Sequence, residues 1–338
     1  MNPEIVATLV KLGVALFVLI NVAPVMLWVE RRGSAFMQDR PGPNRLGPLG
    51  LFQGVADAVK FMFKEDVTPV GVDKPLFLMA PVLALLPAFT TFSVIPMGPE
   101  LTIGGRTIPL VVAPAESGVL LFLALASLGV YSLVLAGWSS NNKFSLLGSI
   151  RASAQLISYE LALTLSVLAA VIPAASFELT KVVDYQREHV WMVVPQIVGF
   201  LVFLVASFAE TNRLPFDLPE AESELIAGFH TEYSAMRFAT FFMAEYIAMF
   251  SLAALGVTLY FGGWSLPGVE LSGWTGALLG LATLLGKVGL WMFFFVWVRW
   301  TFPRFRYDQL MRLGWKVLLP LGVVNLVAVA VAVLAGWI

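Results

Sequence analysis

Ile5-Val-Ala-Thr-Leu-Val-Lys-Leu-Gly-Val-Ala-Leu-Phe-Val-Leu-Ile-Asn-Val-Ala-Pro-Val-Met-Leu-Trp-Val29 decides the fold class. An α-helix rises 1.5 Å per residue, so a stretch of this length crosses about 30 Å of hydrocarbon. No basic run precedes it and no small-residue cleavage site follows it, so it reads as a first retained span rather than a signal peptide. Seven further segments meet the same criterion, near 76–97, 112–138, 153–176, 190–209, 238–261, 275–302 and 317–337. The expected fold is all-α, a polytopic membrane helix bundle of about eight transmembrane helices, forming one membrane domain over 1–338.

Composition agrees. The 338 residues are 59% hydrophobic and 13% charged, which excludes an ordinary soluble domain. A net charge of −1 argues against nucleic acid as a partner. With no cysteine there is no disulfide, thiolate zinc site or Cys-held iron–sulfur cluster. His189 and His230 both fall in polar segments between apolar runs, which disfavours a bis-histidine haem inside the bundle. No Walker loop, dinucleotide glycine fingerprint or nucleophile–His–acid set is present.

Fifteen basic residues sit in the first, third, fifth and seventh connections, from Arg31 and Arg32 to Arg312 and Lys316; the other connections hold only Arg106, Lys181 and Arg187. The positive-inside rule therefore puts the odd connections in the cytoplasm and both termini outside. Two of these connections, about 30–75 and 210–236, are rich in polar residues. In the first, Arg40-Pro41-Gly42-Pro43-Asn44-Arg45-Leu46-Gly47-Pro48 is dense in turn formers. Leu51 to Lys64 then has helical period: Leu51, Phe52, Val55, Val59, Met62 and Phe63 form an apolar stripe, and Asp57, Lys60 and Lys64 lie opposite. That pattern fits either an interfacial amphipathic helix or a helix packed on the bundle with its charges solvated.

The fifth connection opens on Ala209-Glu-Thr-Asn-Arg-Leu-Pro-Phe-Asp-Leu-Pro-Glu-Ala-Glu-Ser-Glu224, where Glu210, Asp217, Glu220, Glu222 and Glu224 face only Arg213 in balance. Asp217 with Pro219 and Glu220 is compatible with a helix N-cap, so part of this cluster is explained by capping. The rest is either a solvated acidic loop or a functional group of acids near membrane depth. Four more acids lie in or at the ends of spans. Glu30 closes the first span and Glu116 opens the third; Glu160 and Glu245 sit within the fourth and sixth. A carboxylate in a low-dielectric site holds and releases a proton near neutral pH, and chains of such groups serve as relays. The alternative for Glu160 and Glu245 is a buried hydrogen bond or ion pair that fixes packing. Lys287, inside the seventh span, either snorkels to the outer interface or pairs with an acid.

Together, Glu30-Arg31-Arg32, Gly42-Pro43-Asn44-Arg45-Leu46-Gly47-Pro48-Leu49-Gly50, Ala56-Asp57-Ala58-Val59-Lys60, Lys64-Glu65-Asp66, Ile157-Ser158-Tyr159-Glu160, Glu210 to Glu222, Phe229-His230-Thr231-Glu232-Tyr233-Ser234 and Met243-Ala244-Glu245-Tyr246 resemble the H-subunit family of proton-pumping NADH–quinone oxidoreductase, respiratory complex I. The resemblance runs over nearly the whole chain. It implies a translocase subunit that carries no redox centre, with quinone as substrate and FMN and iron–sulfur clusters in partner subunits. It implies an antiporter-like five-helix half-channel over about 76–261. Glu30, Arg31, Asp57, Lys60 and Arg213 would line or approach the quinone chamber. Glu160, Glu210, Glu220, Glu222, Glu224 and Glu245 would form the proton path. Where some family members carry another acid in the third span, this chain has Ser127. The implied partners are the peripheral-arm quinone-site subunits, the small and antiporter-like membrane-arm subunits, and membrane lipid, in a bacterial plasma (inner) membrane. An equivalent subunit of a related hydrogenase or quinone-linked complex, and a free-standing ion antiporter, remain as alternatives. The large polar surface of the odd connections favours a docked subunit over the antiporter.

Overall fold

The computed structural model describes residues 3–103, 106–218 and 225–337. Helix α1 (Pro3–Met37) is followed by the short amphipathic α2 (Gln53–Phe63), then α3 (Lys74–Thr91), α4 (Gly118–Ser139), α5 (Lys143–Val171), α6 (Leu179–Glu188) and α7 (Ile197–Glu210). After these come α8 (Ala235–Tyr260), α9 (Gly273–Thr301), α10 (Tyr307–Leu313), a π-helical turn at Gly314–Leu318 and α11 (Leu319–Leu334). The only strands among the described residues, β1 (Leu101–Ile103) and β2 (Arg106–Ile108), pair antiparallel in the connection between α3 and α4. The molecule is therefore an all-α polytopic bundle, as its apolar periodicity requires.

Among the described residues, seven helical stretches are long and apolar enough to cross a membrane; α7, at 14 residues, is not by length alone. At 1.5 Å per residue it covers about 21 Å of a layer about 30 Å deep. The reason lies just before it. Val190–Gln196 contains Pro195 and folds as turns. In lipid such backbone would be untenable, but irregular backbone is tolerated at membrane depth where protein encloses it. Met192 and Gln196 are each 1% exposed. Val193 N donates to Tyr260 O at 3.0 Å, and Gln196 Nε2 donates to Ala169 O at 3.1 Å.

Contacts between connections fix how many times the chain crosses. Arg213, just beyond α7, touches Glu30 near the end of α1. An even number of crossings must separate them, and α3, α4 and α5 supply three, so α7 with its lead-in is the fourth. Arg304 beyond α9 reaches Asp217 at 2.8 Å, which is consistent with α8 and α9 as the next pair. Arg237 at the start of α8 meets Asp66 before α3 at 2.9 Å. On the opposite face Lys11 donates to Pro109 O, beyond β2, at 3.1 Å.

Helix α8 is the most buried of the long helices and forms the axis of the bundle. Helices α1, α3, α7 and α9 pack on it, while α4 and α5 extend the row from α3 to α7. Helix α11 closes against α5 and α7. Without a hydrophobic driving force between helices in lipid, close van der Waals contact sets this packing. Gly256 on α8 shows it: a Cβ there would lie 2.6 Å from both Phe203 on α7 and Trp291 on α9.

One helix end differs from that expected. Helix α1 does not stop at Glu30 but continues to Met37, because the turn-rich loop folds back along it. Arg32 Nη1 donates to Leu49 O at 2.9 Å and Trp28 Nε1 donates to the same carbonyl at 3.0 Å. Gly50 makes that return possible; its φ is +74° and a Cβ would sit 2.2 Å from Pro43 O. The helix start expected after Asp217, at Pro219 and Glu220, lies outside the described residues.

Candidate functional site: a charge cluster where four segments meet

Glu30 is buried, at a point in α1 where a carboxylate can stand only if it is paired. Its Oε2 accepts from Arg213 Nη1 at 3.3 Å and from the Tyr246 hydroxyl at 2.7 Å, and its Oε1 pairs with Arg299 on α9. Arg213 turns its other edge to Glu245 on α8, Nε to Oε1 at 2.6 Å. The Tyr246 ring lies beneath the guanidinium, 4.5 Å from its Cζ. Two carboxylates thus meet two guanidiniums, and the cluster is formally neutral.

Burial matters for the strength of this arrangement. The Arg213 side chain is 6% exposed, and those of Glu30 and Glu245 are 11% and 19%. Desolvation opposes the charge on Arg213, but Glu245, Tyr246 and Glu30 outweigh it and hold the guanidinium well above its ordinary range. Removing one member of such a group leaves an uncompensated charge and costs about 3–5 kcal/mol. Beside it, Asp217 accepts from Arg304; burial raises the Asp217 carboxyl above its usual value against the pull of that arginine.

A second group adjoins the first through the α1 backbone. Arg31, next to Glu30, reaches Asp57 on α2 at 2.7 Å, and Lys60 meets the same carboxylate at 3.2 Å. Lys60 also lies over the Phe61 ring. The inner side of α2 therefore carries Asp57, with Gly54 against Pro24 and Phe61 beside Phe238, while Lys60 stays largely exposed. The stripe of Val55, Val59, Met62 and Phe63 points away from the bundle, exposed by 46% to 87%. This selects the interfacial reading of α2 over a helix packed through its apolar side.

The remaining acids line up inward. Glu210, the last residue of α7, shares a cavity of about 120 Å³ with Glu245, bordered by Thr91, Ser132 and Ser251. Glu210 Oε2 and Ser251 Oγ are buried there without a partner among the described residues. Glu160 on α5 lies close enough to interact electrostatically with Glu210, and it accepts a hydrogen bond from Ser127 on α4. The structure thus brings Glu160, Glu210 and Glu245 around one interior region and joins Glu245 to Glu30 through Arg213. Glu220, Glu222 and Glu224 lie outside the described residues. Glu116 is exposed and takes no part. Lys287 pairs with no acid among the described residues; its Nζ reaches the end of α8 and the connection after it, donating to the carbonyls of Phe261, Gly263 and Ser265 at 2.6 to 2.9 Å.

Sequence reasoning misses Arg299 and Tyr246. Arg299 sits at the end of an apolar run, where a charge reads as a boundary. Tyr246 is adjacent to Glu245, and a hydroxyl beside a membrane-depth acid is the one signal that points to it. Among the described residues no three His, Asp or Glu side chains converge to hold a metal ion.

The family model described as NADH dehydrogenase matches residues 10–330. The NADH-quinone oxidoreductase H-subunit 1 of Geobacter metallireducens is 48% identical over 335 residues, covering 99% of this chain and 97% of that protein. The H-subunit 2 of Geobacter sulfurreducens is 49% identical over 328 residues, covering 97% and 95%. The H-subunit of Salinibacter ruber is 46% identical over 347 aligned residues, covering 98% of each.

Proposed function

The chain belongs to the family of NADH-quinone oxidoreductase H-subunits, and from that premise we propose that it couples quinone reduction to proton translocation as a membrane subunit of that complex. The observation that carries this reading is the path Glu30–Arg213–Glu245. It joins the residues assigned to a quinone chamber with those assigned to a proton path by direct contacts.

Reducing a quinone to its quinol takes two electrons and two protons. The electrons come from FMN and iron–sulfur clusters in partner subunits, since this chain has no cysteine to hold a cluster. The headgroup lies against the odd connections, where Arg31, Asp57, Lys60 and Arg213 present charge. Its apolar tail leaves along the exposed apolar stripe of α2. Negative charge on the reduced headgroup competes with Glu30 and Glu245 for Arg213. Glu245, released from its cation, takes up a proton, because a carboxylate in a dry site is stable only when paired or neutral. The proton arrives through the cavity from Glu210, with Glu220, Glu222 and Glu224 supplying it from the cytoplasmic side and Glu160 receiving it deeper in the bundle. Each charge moved against the membrane potential costs about 2.3 kcal/mol per 100 mV, so this exchange must be gated by the redox step.

The test separates the quinone step from electron entry. In the assembled complex, Arg213→Ala is expected to cut quinone reduction more than tenfold while electron transfer from NADH to a soluble artificial acceptor persists. Equal loss of both activities in an intact complex would remove Arg213 from the quinone chamber.

A further inference from the structure

Glu160 lies midway along α5, at a depth where a carboxylate is expected to find a cation. Among the described residues it has none. It interacts electrostatically with the Glu210 carboxyl and accepts a hydrogen bond from the Ser127 hydroxyl. Ser127 Oγ is also 2.9 Å from Leu123 O, one turn back on α4. A serine hydroxyl has a single proton to donate and two lone pairs to accept with. Two acceptors, the Leu123 carbonyl and the Glu160 carboxylate, therefore compete for one proton.

We propose that Ser127 is a positioning residue of the proton path, a hydroxyl rotor whose direction follows the protonation of Glu160. When Glu160 is ionised, the Ser127 hydroxyl donates to Oε1, the stronger acceptor, because hydrogen bonds to an ionised partner are about twice as strong as neutral ones. When Glu160 takes a proton from the side of Glu210, its own O–H donates to Ser127 Oγ. The Ser127 hydroxyl then turns to the Leu123 carbonyl, the back-bond that serines make within helices. Ser127 keeps its own proton throughout; one proton is gained at Glu160 and one is lost from the Glu210 side. Both states keep every donor satisfied, so the carboxyl can be charged or neutral without leaving a buried polar group unpaired. This rests on the assignment of Glu160 to the proton path and gives that acid the device it lacks in the form of a cation.

The test uses infrared difference spectra of the whole complex in liposomes, recorded between oxidised and quinol-reduced states. Glu160→Gln identifies the carboxyl band that belongs to Glu160. Ser127→Ala is expected to shift that C=O band to higher wavenumber and to slow coupled turnover several-fold. Ser127→Thr, which keeps the hydroxyl, is expected to restore both. A band that stays in place in Ser127→Ala overturns the rotor, as does the lack of any band sensitive to Glu160→Gln. Failure of the path assignment itself is read separately: Glu160→Gln would then pump at the wild-type rate, whatever the band in Ser127→Ala does.

Discussion

Arg213 carries the site because one guanidinium serves two acids. Its Nη1 edge holds Glu30 and its Nε edge holds Glu245, so the two carboxylates share one cation. Lysine would present one point charge where arginine presents a planar fork. His230 gives a different residue-scale prediction. It is buried among Phe229, Phe238 and Phe242, and burial lowers its pKa to about 4. The unfolded chain, with a value near 6.5, binds the proton first. The stability that the neutral ring supplies is therefore complete above about pH 6.5 and is lost as pH falls toward 4. Thermal inactivation of the complex at pH 7 and pH 5 should show a drop in midpoint that His230→Gln reduces; an unchanged drop would contradict it. In the sequence, His230 reads as a residue of a polar segment. Its burial depends on aromatic rings from α8 that only the tertiary fold delivers.

At the scale of elements, α2 is the most legible. Its 3.6-residue period separates Val59 and Met62 from Asp57 and Lys60, and the structure keeps that separation, with Asp57 against Arg31 of α1 and the apolar stripe outward. Because this chain has no cysteine, one introduced cysteine places a single label within it. A fluorophore at Val59→Cys is expected to be quenched by lipid-borne quenchers, and one at Lys64→Cys much less. Equal quenching would place α2 away from the membrane surface. Helix ends are less legible. Glu30-Arg31-Arg32 reads as the close of a span, yet α1 runs to Met37, because hydrogen bonds from Trp28 and Arg32 to the returning loop support its last turns. The apolar run 190–209 reads as a full-length span. Pro195 shortens its helix to α7, and the carbonyls of Ala169 and Tyr260 satisfy the turns that remain. Hydropathy sees apolar content and is blind to such internal partners.

At the scale of the whole molecule, the ion pairs Glu30–Arg213, Asp217–Arg304 and Asp66–Arg237 gather the first, fifth and seventh connections on one face. The distribution of basic residues predicts that grouping; which acid meets which arginine is not readable, since partners lie far apart in the chain. We propose that this face is the cytoplasmic one. In cells, a label at Asn44→Cys should react only from the cytoplasmic side and one at Val269→Cys only from outside; reaction at Asn44 from outside would invert the orientation. The central claim is that quinone chemistry and proton movement share Glu245. The most direct measurement is proton uptake and quinone reduction by the Glu245→Gln complex in reconstituted vesicles. Glutamine keeps the shape of the side chain but cannot be ionised or protonated as a carboxyl. Coupled as described, both rates fall together, by tenfold or more, in a complex that remains assembled. Wild-type turnover with wild-type pumping would contradict the account and leave Glu245 a packing partner of Arg213.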